Sequence, residues 1–240
     1  DYVGTRGLIS DRITATSSLI TAYIDEALSQ ARSATAVLAQ SIRLHPRTGW
    51  SDPELAALVD NLNDANDAVR SLLVLEHTGK VLAESTADRT EWPSSAMQSL
   101  LEQHQGTGSD RFLLSPPYIG PQDRERQFNI STTVAMSGNG EHVVVAASVV
   151  AGDLLRDLKQ ASPYRNFTIS LFDEMGNMLA RYPSTGMNLA TISEERLRRL
   201  EGLQPGGIGI QYVGNLTFTP GRRIINSYRM ERFPLYLTYS

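Results

Sequence analysis

Over residues 8–44 the apolar positions recur in alternating steps of three and four: Ile9, Ile13, Thr16, Ile20, Tyr23/Ile24, Ala27, Ala31, Ala34, Leu38 and Ile42. That spacing draws one stripe along a helix. No proline interrupts the run, and His45-Pro46 closes it, because the residue before a proline is pushed out of the helical region. At ~1.5 Å per residue the helix would span roughly 55 Å. This exceeds the width of one domain of ~100 residues, so the helix must project or lie along two domains. The stretch SDPELAALVDNLNDAN carries a capping Ser or Asp with Pro53 and Glu54 in its first turn, which predicts a short second helix.

The period then changes to that of strands. Residues 68–75 and 80–84 predict a hairpin turned at Thr78-Gly79. Trp92-Pro93-Ser94 opens a helix running to about His104, and strands are expected near 111–115, 127–136 and 142–150, the last two joined by SGNG. Residues 143–150 are apolar on both faces, as in a central strand covered on both sides. A short helix is expected at 153–160.

After the break ASPYRN the order restarts. Strands at 167–172 and 178–181 flank the turn DEMGN, a helix capped by Ser193 covers 193–203, and strands follow near 208–213, 222–228 and 235–239. The two hairpins align residue on residue. With Gly79 of LLVLEHTGKVLAES set over Gly176 of ISLFDEMGNMLARY, Leu82 falls on Leu179, Ala83 on Ala180 and Glu76 on Asp173. Internal repetition of this kind defines architecture. The predicted fold class is α+β: a long N-terminal helix spanning two tandem modules, each a mostly antiparallel five-stranded sheet with flanking helices. The expected boundaries are 1–45 for the helix, 46–160 for the first module and 161–240 for the second.

Composition narrows the function. The 240 residues are 41% hydrophobic and 20% charged, with a net charge of −4 and no Lys/Arg run, which argues against a nucleic-acid binder. The absence of cysteine excludes disulfides and thiolate chemistry. The longest apolar run, VVVAASVVAG, is about half of the ~20 residues needed to cross a bilayer. A start at DYVG and a stop at LYLTYS suit a segment whose flanking parts, not this chain, meet the membrane. The sequence holds no G-x-G-x-x-G after a strand, no phosphate loop, no G-x-S-x-G and no H-E-x-x-H. His45, His77, His104 and His142 read as solvated residues of turns and helix ends, with no partner at metal-ligand spacing. Asp173-Glu174 read as turn residues, and Asn129-Ile-Ser131 as one of three chance glycosylation sequons. No catalytic set and no cofactor is expected.

One segment offers ligand chemistry: SPPYIGPQDRERQFNISTTV, residues 115–134. Its prolines stiffen a loop on a rigid scaffold. Arg124 and Arg126 present planar forks for a carboxylate or phosphate, and Tyr118 and Phe128 present ring faces and a hydroxyl. On the apolar strand, Val144, Ala146, Ser148 and Val150 share one face, where the small side chains leave room. Ser131 and Trp92 complete the candidate set. The competing readings are a solvated crossover and a satisfied core serine.

The long helix, the tandem modules, the strand VVVAASVVAGDLLRDL and the hairpin LFDEMGNMLARYP resemble the double Cache domains, the PAS-like extracytoplasmic sensors of bacterial histidine kinases, diguanylate cyclases and chemoreceptors. The resemblance spans nearly the whole chain. It implies a periplasmic small-molecule sensor that is not itself an enzyme, binds its ligand in the membrane-distal first module and dimerises along the N-terminal helix. In amino-acid-binding members an R-x-W-Y block, a following tyrosine and a strand aspartate hold the ligand. Here Tyr118 matches that tyrosine, the R-x-W-Y block is missing, and the aspartate position falls on Ser148. The resemblance therefore points away from free amino acids, and the arginines point to a small organic anion. The alternative is a structural or protein-interaction ectodomain with a vestigial pocket.

Overall fold

The computed structural model describes residues 2–44, 52–85, 92–105, 111–120, 125–135, 142–156, 167–183, 191–213 and 223–239. The His45-Pro46 stop, the SGNG turn, the end of the 153–160 helix and Arg124 lie outside them. The chain divides into two compact units, one of residues 27–151 and one of residues 1–26 with 152–240.

Helix α1 runs Tyr2–Leu44. Its buried stripe is Ile20, Ile24, Leu28, Ala31, Ala34, Leu38 and Ile42, the three-four spacing expected of one helical face. The unit of residues 27–151 adds α2 (Asp52–Asp64), β1 (Ser71–Glu76), β2 (Val81–Glu84), α3 (Ser94–His104), β3 (Leu113–Leu114), β4 (Tyr118–Ile119), β5 (Arg126–Ala135) and β6 (His142–Val150). Its sheet runs β2-β1-β6-β5-β3, with β4 also on β5, so β6 is central and eight of its nine residues are buried. The sixth strand, β4, arises where the Tyr118 loop was expected. Its two residues pair with β5 at Tyr118↔Gln127 and Ile119↔Arg126.

The second unit holds α4 (Asp153–Arg156), β7 (Ile169–Asp173), β8 (Met178–Tyr182), α5 (Glu194–Glu201), β9 (Ile208–Val213), β10 (Arg223–Arg229) and β11 (Leu235–Tyr239). Its strands run β8-β7-β11-β10-β9, the same permuted order. This unit takes up the chain again at Gly152, and α4 packs on β8.

The repeated hairpin is the same object twice. Gly79 and Gly176 sit at φ +89° and +81°, a left-handed conformation that a side chain strains. Both hairpins also shift register at the aligned position, between Val74 and Leu75 in one and between Leu171 and Phe172 in the other. The turns differ in what closes them. Asp173 Oδ1 accepts from the backbone N–H groups of Met175 and Asn177, and Oδ2 accepts from Asn177 Nδ2. In the first turn the Thr78 hydroxyl donates to Glu76 Oε2 at 3.2 Å and accepts from the Lys80 N–H at 3.4 Å.

Candidate ligand site

In the first sheet residues paired across strands share a face. Register places Ser71, Leu73 and Leu75 of β1 with Ser148, Ala146 and Val144 of β6, and with Asn129, Ser131 and Thr133 of β5. Gln127 and Tyr118 join the same face. One part of it is apolar: Leu73, Leu75, Val144 and Ala146 pack with Trp92 and Leu100 under α3. The other part is polar and equally buried.

There the Tyr118 hydroxyl donates to Asn129 Oδ1 at 2.8 Å and lies 3.0 Å from Ser148 Oγ, which donates to Gln127 Oε1 at 2.9 Å. Asn129 and Ser148 are 0% and 1% exposed, while Tyr118 is only half-buried. The tyrosine reaches in from the sheet edge, its loop tied by the Asn129 N–H donating to Ser115 Oγ at 2.8 Å. One step along β5, Ser131 Oγ meets His104 Nε2 at 2.9 Å. Burial alone lowers the His104 pKa to about 4, so the ring is neutral at ordinary pH.

Several polar atoms on this face have no hydrogen-bond partner among the described residues: Asn129 Nδ2, Thr133 Oγ1, His104 Nδ1 and Trp92 Nε1. Buried groups of this kind are costly unless something else completes them. Four on one face, beside a half-exposed tyrosine, define a surface suited to a ligand rich in hydrogen-bond acceptors. Ser131 and His104 are not a nucleophile and its base. Among the described residues His104 Nδ1 has no orienting partner of the kind a triad needs, and a pKa near 4 makes a weak base.

The expected site residues divide accordingly. The Tyr118 and Ser148 hydroxyls lie 3.0 Å apart in one hydrogen-bonded group with Asn129 and Gln127, with Ser131 and Trp92 on their face. Phe128 is a correction: it is 0% exposed and, with odd and even residues alternating, lies on the reverse face with Ile130. Arg126 also has the wrong parity, being paired with Ile119, and burial lowers its pKa. His104 is a second correction, since a residue expected to be solvated is 8% exposed and hydrogen-bonded. Asn129 and Gln127 were missed. The signal was available, because they share parity with Ser131 and Thr133 along one face of the strand, but Asn129 read as a sequon.

No family model matches the chain by sequence, and no curated protein does either. Solved structures do match in fold. The extracellular domain of the candidate histidine kinase rpHK1S-Z16 superposes at a TM-score of 0.77 with 15% identity, covering 99% of this chain and 95% of that one. The ligand-binding domain of the Pseudomonas aeruginosa PAO1 amino acid chemoreceptor PctC, in complex with GABA, gives 0.63 at 16% identity, covering 98% of each chain. The sensory domain of the Campylobacter jejuni chemoreceptor Tlp3, with isoleucine bound, gives 0.65 at 12% identity, covering 98% and 93%. The chain therefore has the tandem PAS-like, double Cache fold of extracellular sensory domains.

Proposed function

We propose that the chain is the extracytoplasmic ligand-sensing domain of a bacterial inner-membrane receptor, and that the first unit binds a small molecule on the Tyr118–Asn129–Ser148 face. The observation that supports this most is the buried row of unpartnered polar atoms beside a half-exposed tyrosine, in a fold whose solved examples include ligand-bound sensors. Among the possible outputs a histidine kinase is favoured over a diguanylate cyclase by the closeness in shape to a kinase ectodomain. No helix among the described residues is long and apolar enough to cross a membrane, so anchoring would come from flanking segments. Exposed Leu19, Tyr23, Val37 and Leu44 on α1 support association with a second copy along that helix.

The expectation of an anion on this face rested on Arg124 and Arg126, and Arg126 lies on the reverse face. Among the described residues, Tyr118, Gln127, Asn129 and Ser148 bring no carboxylate of their own, and Ser148 stands where a counter-charge would. The histidine is neutral, and an acid on this face, Glu84, sits at the β2 edge of the sheet opposite Leu73. An unpaired buried ammonium is expensive. The proposed ligand is therefore an uncharged, acceptor-rich small molecule such as an amide, ketone or nucleobase.

The test is thermal-shift screening of the intact domain against neutral amides, nucleobases, amines, amino acids and organic acids, with Tyr118→Phe and Ser148→Ala alongside. A neutral compound that raises the melting temperature, with a shift reduced in both variants, is the expected result. If no compound acts, and both variants signal normally in the full-length receptor, the sensing role of this face is refuted. A protein-interaction ectodomain then becomes the better reading.

A further inference from the structure

Along the outer edge of β5 the strand pairing changes count partway. β3 sets Leu113 opposite Ser131 and Leu114 opposite Ile130, and the Ser115 N–H donates to the Asn129 carbonyl at 2.9 Å. Continued at that count, the edge would bring Pro117 opposite Gln127 and Tyr118 opposite Arg126. β4 instead sets Tyr118 opposite Gln127 and Ile119 opposite Arg126, and the Gly120 N–H donates to the Glu125 carbonyl at 2.8 Å. One extra residue has been let into the edge between Ser115 and Tyr118, a β-bulge. A slip of one residue turns every following side chain to the opposite face. Without it Tyr118 would lie with Arg126, Phe128 and Ile130 on the reverse of the sheet. With it, the Tyr118 hydroxyl reaches Asn129 Oδ1 and Ser148 Oγ.

The short run SPPY dictates the slip. Backbone groups of successive strand residues point alternately to either side. The Arg126 carbonyl accepts from Ala151 on the β6 side, while the Asn129 carbonyl accepts from Ser115 on the outer side. Gln127 shares the parity of Asn129 and so directs its carbonyl and N–H outward. A residue opposite Gln127 must supply an N–H, and Pro117 has none. Tyr118 takes that place once the chain advances by one. The advance leaves a second group to satisfy, because in an unbroken ladder the Asn129 N–H would donate to the Ser115 carbonyl. The Ser115 side chain stands in for that carbonyl: Oγ accepts from the Asn129 N–H at 2.8 Å and donates to the Pro116 carbonyl at 2.9 Å. Ser115 is 4% exposed, where an unpaired N–H is costly.

We infer that Ser115 and Pro117 are positioning residues of the ligand face. Pro117 forbids the register that would turn Tyr118 away, and the Ser115 hydroxyl holds the register that turns it in. This role rests on the proposed use of the Tyr118–Asn129–Ser148 face, whereas the register itself is readable with no ligand present.

The experiment reads the register from cross-strand nuclear Overhauser contacts in the labelled intact domain, with melting temperatures alongside. In the parent and in Ser115→Thr, which keeps the hydroxyl, Tyr118 should contact Gln127. Ser115→Ala should melt roughly 2–10 °C lower, since it orphans the Asn129 N–H while Pro117 still bars the alternative. In the double variant Ser115→Ala/Pro117→Ala position 117 should contact Gln127, Tyr118 should move opposite Arg126, and the melting temperature should exceed that of Ser115→Ala. A double variant that keeps Tyr118 opposite Gln127 would overturn the proposal, as would a Ser115→Ala variant as stable as the parent. A second arm adds acetamide and uracil in thermal shift. Binding to the parent should weaken about tenfold in the double variant, the loss due to one hydroxyl; undiminished binding there would overturn the positioning role. If neither compound stabilises the parent while the register moves as expected, the neutral-ligand reading fails and the placement of Tyr118 by Ser115 and Pro117 stands.

Discussion

Acid should destabilise this domain through one histidine. His104 is 8% exposed, touches Ser131, and has its pKa lowered from 6.5 to about 4 by burial. Above pH ~6.5 the ring is neutral folded or unfolded and pH has no effect through it. Between pH ~6.5 and ~4 the unfolded chain takes up a proton that the folded chain refuses, so stability falls as pH falls. At about 1.4 kcal/mol per pKa unit the loss approaches ~3 kcal/mol by pH 4. Carboxylates titrate in the lower part of this range too, so the assay is a difference. Urea unfolding of the parent and of His104→Phe would be followed from pH 8 to pH 4, with the unit of residues 27–151 monitored through Trp92. The parent's advantage over the variant should shrink steadily below pH 6.5. A difference that stays flat from pH 7 to pH 4.5 would refute the claim that His104 is held neutral by its surroundings.

The repeated hairpins give paired expectations. Gly79→Ala and Gly176→Ala both force a side chain into a left-handed position, about 1 kcal/mol of strain each, but a Cβ at Gly176 would stand 2.9 Å from Ile192 Cγ1 whereas at Gly79 the nearest atom is 3.7 Å away. Denaturant unfolding should therefore show the Gly176 variant to be the more damaged, and equal losses would contradict the packing. Asp173→Ala removes three hydrogen bonds from a buried carboxylate and should cost ~2–4 kcal/mol, while Thr78→Ala in the exposed first turn should cost under ~1 kcal/mol. Comparable costs would mean that the Asp173 network is replaceable by water.

Local patterns carried most of the element list. The three-four stripe named α1, the proline-led starts named α2 and α3, and the glycine-centred alignment exposed the duplication, because each of these depends on a few neighbouring residues and their backbone preferences. Tyr118 and Ser148 were legible as candidates for the same reason: a tyrosine after two prolines and a serine in an apolar strand are local anomalies. Strand parity is local as well, yet the candidate set mixed Phe128 with Ser131, which point to opposite faces.

What the chain alone could not decide is who meets whom. The order β2-β1-β6-β5-β3 brings β6, late in the unit, between strands far apart in sequence. That pairing depends on apolar area buried across the whole sheet, not on any short stretch. The same register put Tyr118 opposite Gln127, hence on the face of Asn129 and Ser148 and away from Arg126. His104 ends a helix, a position that is usually wet, and only the packing of α3 over β5 made it a buried neutral ring. Arg196 drew no notice in a chain of net charge −4, since nothing nearby in sequence distinguishes an arginine that stacks on Phe172 from the outward ones beside it. Backbone preference is written locally; burial and charge pairing are properties of the assembled sheet.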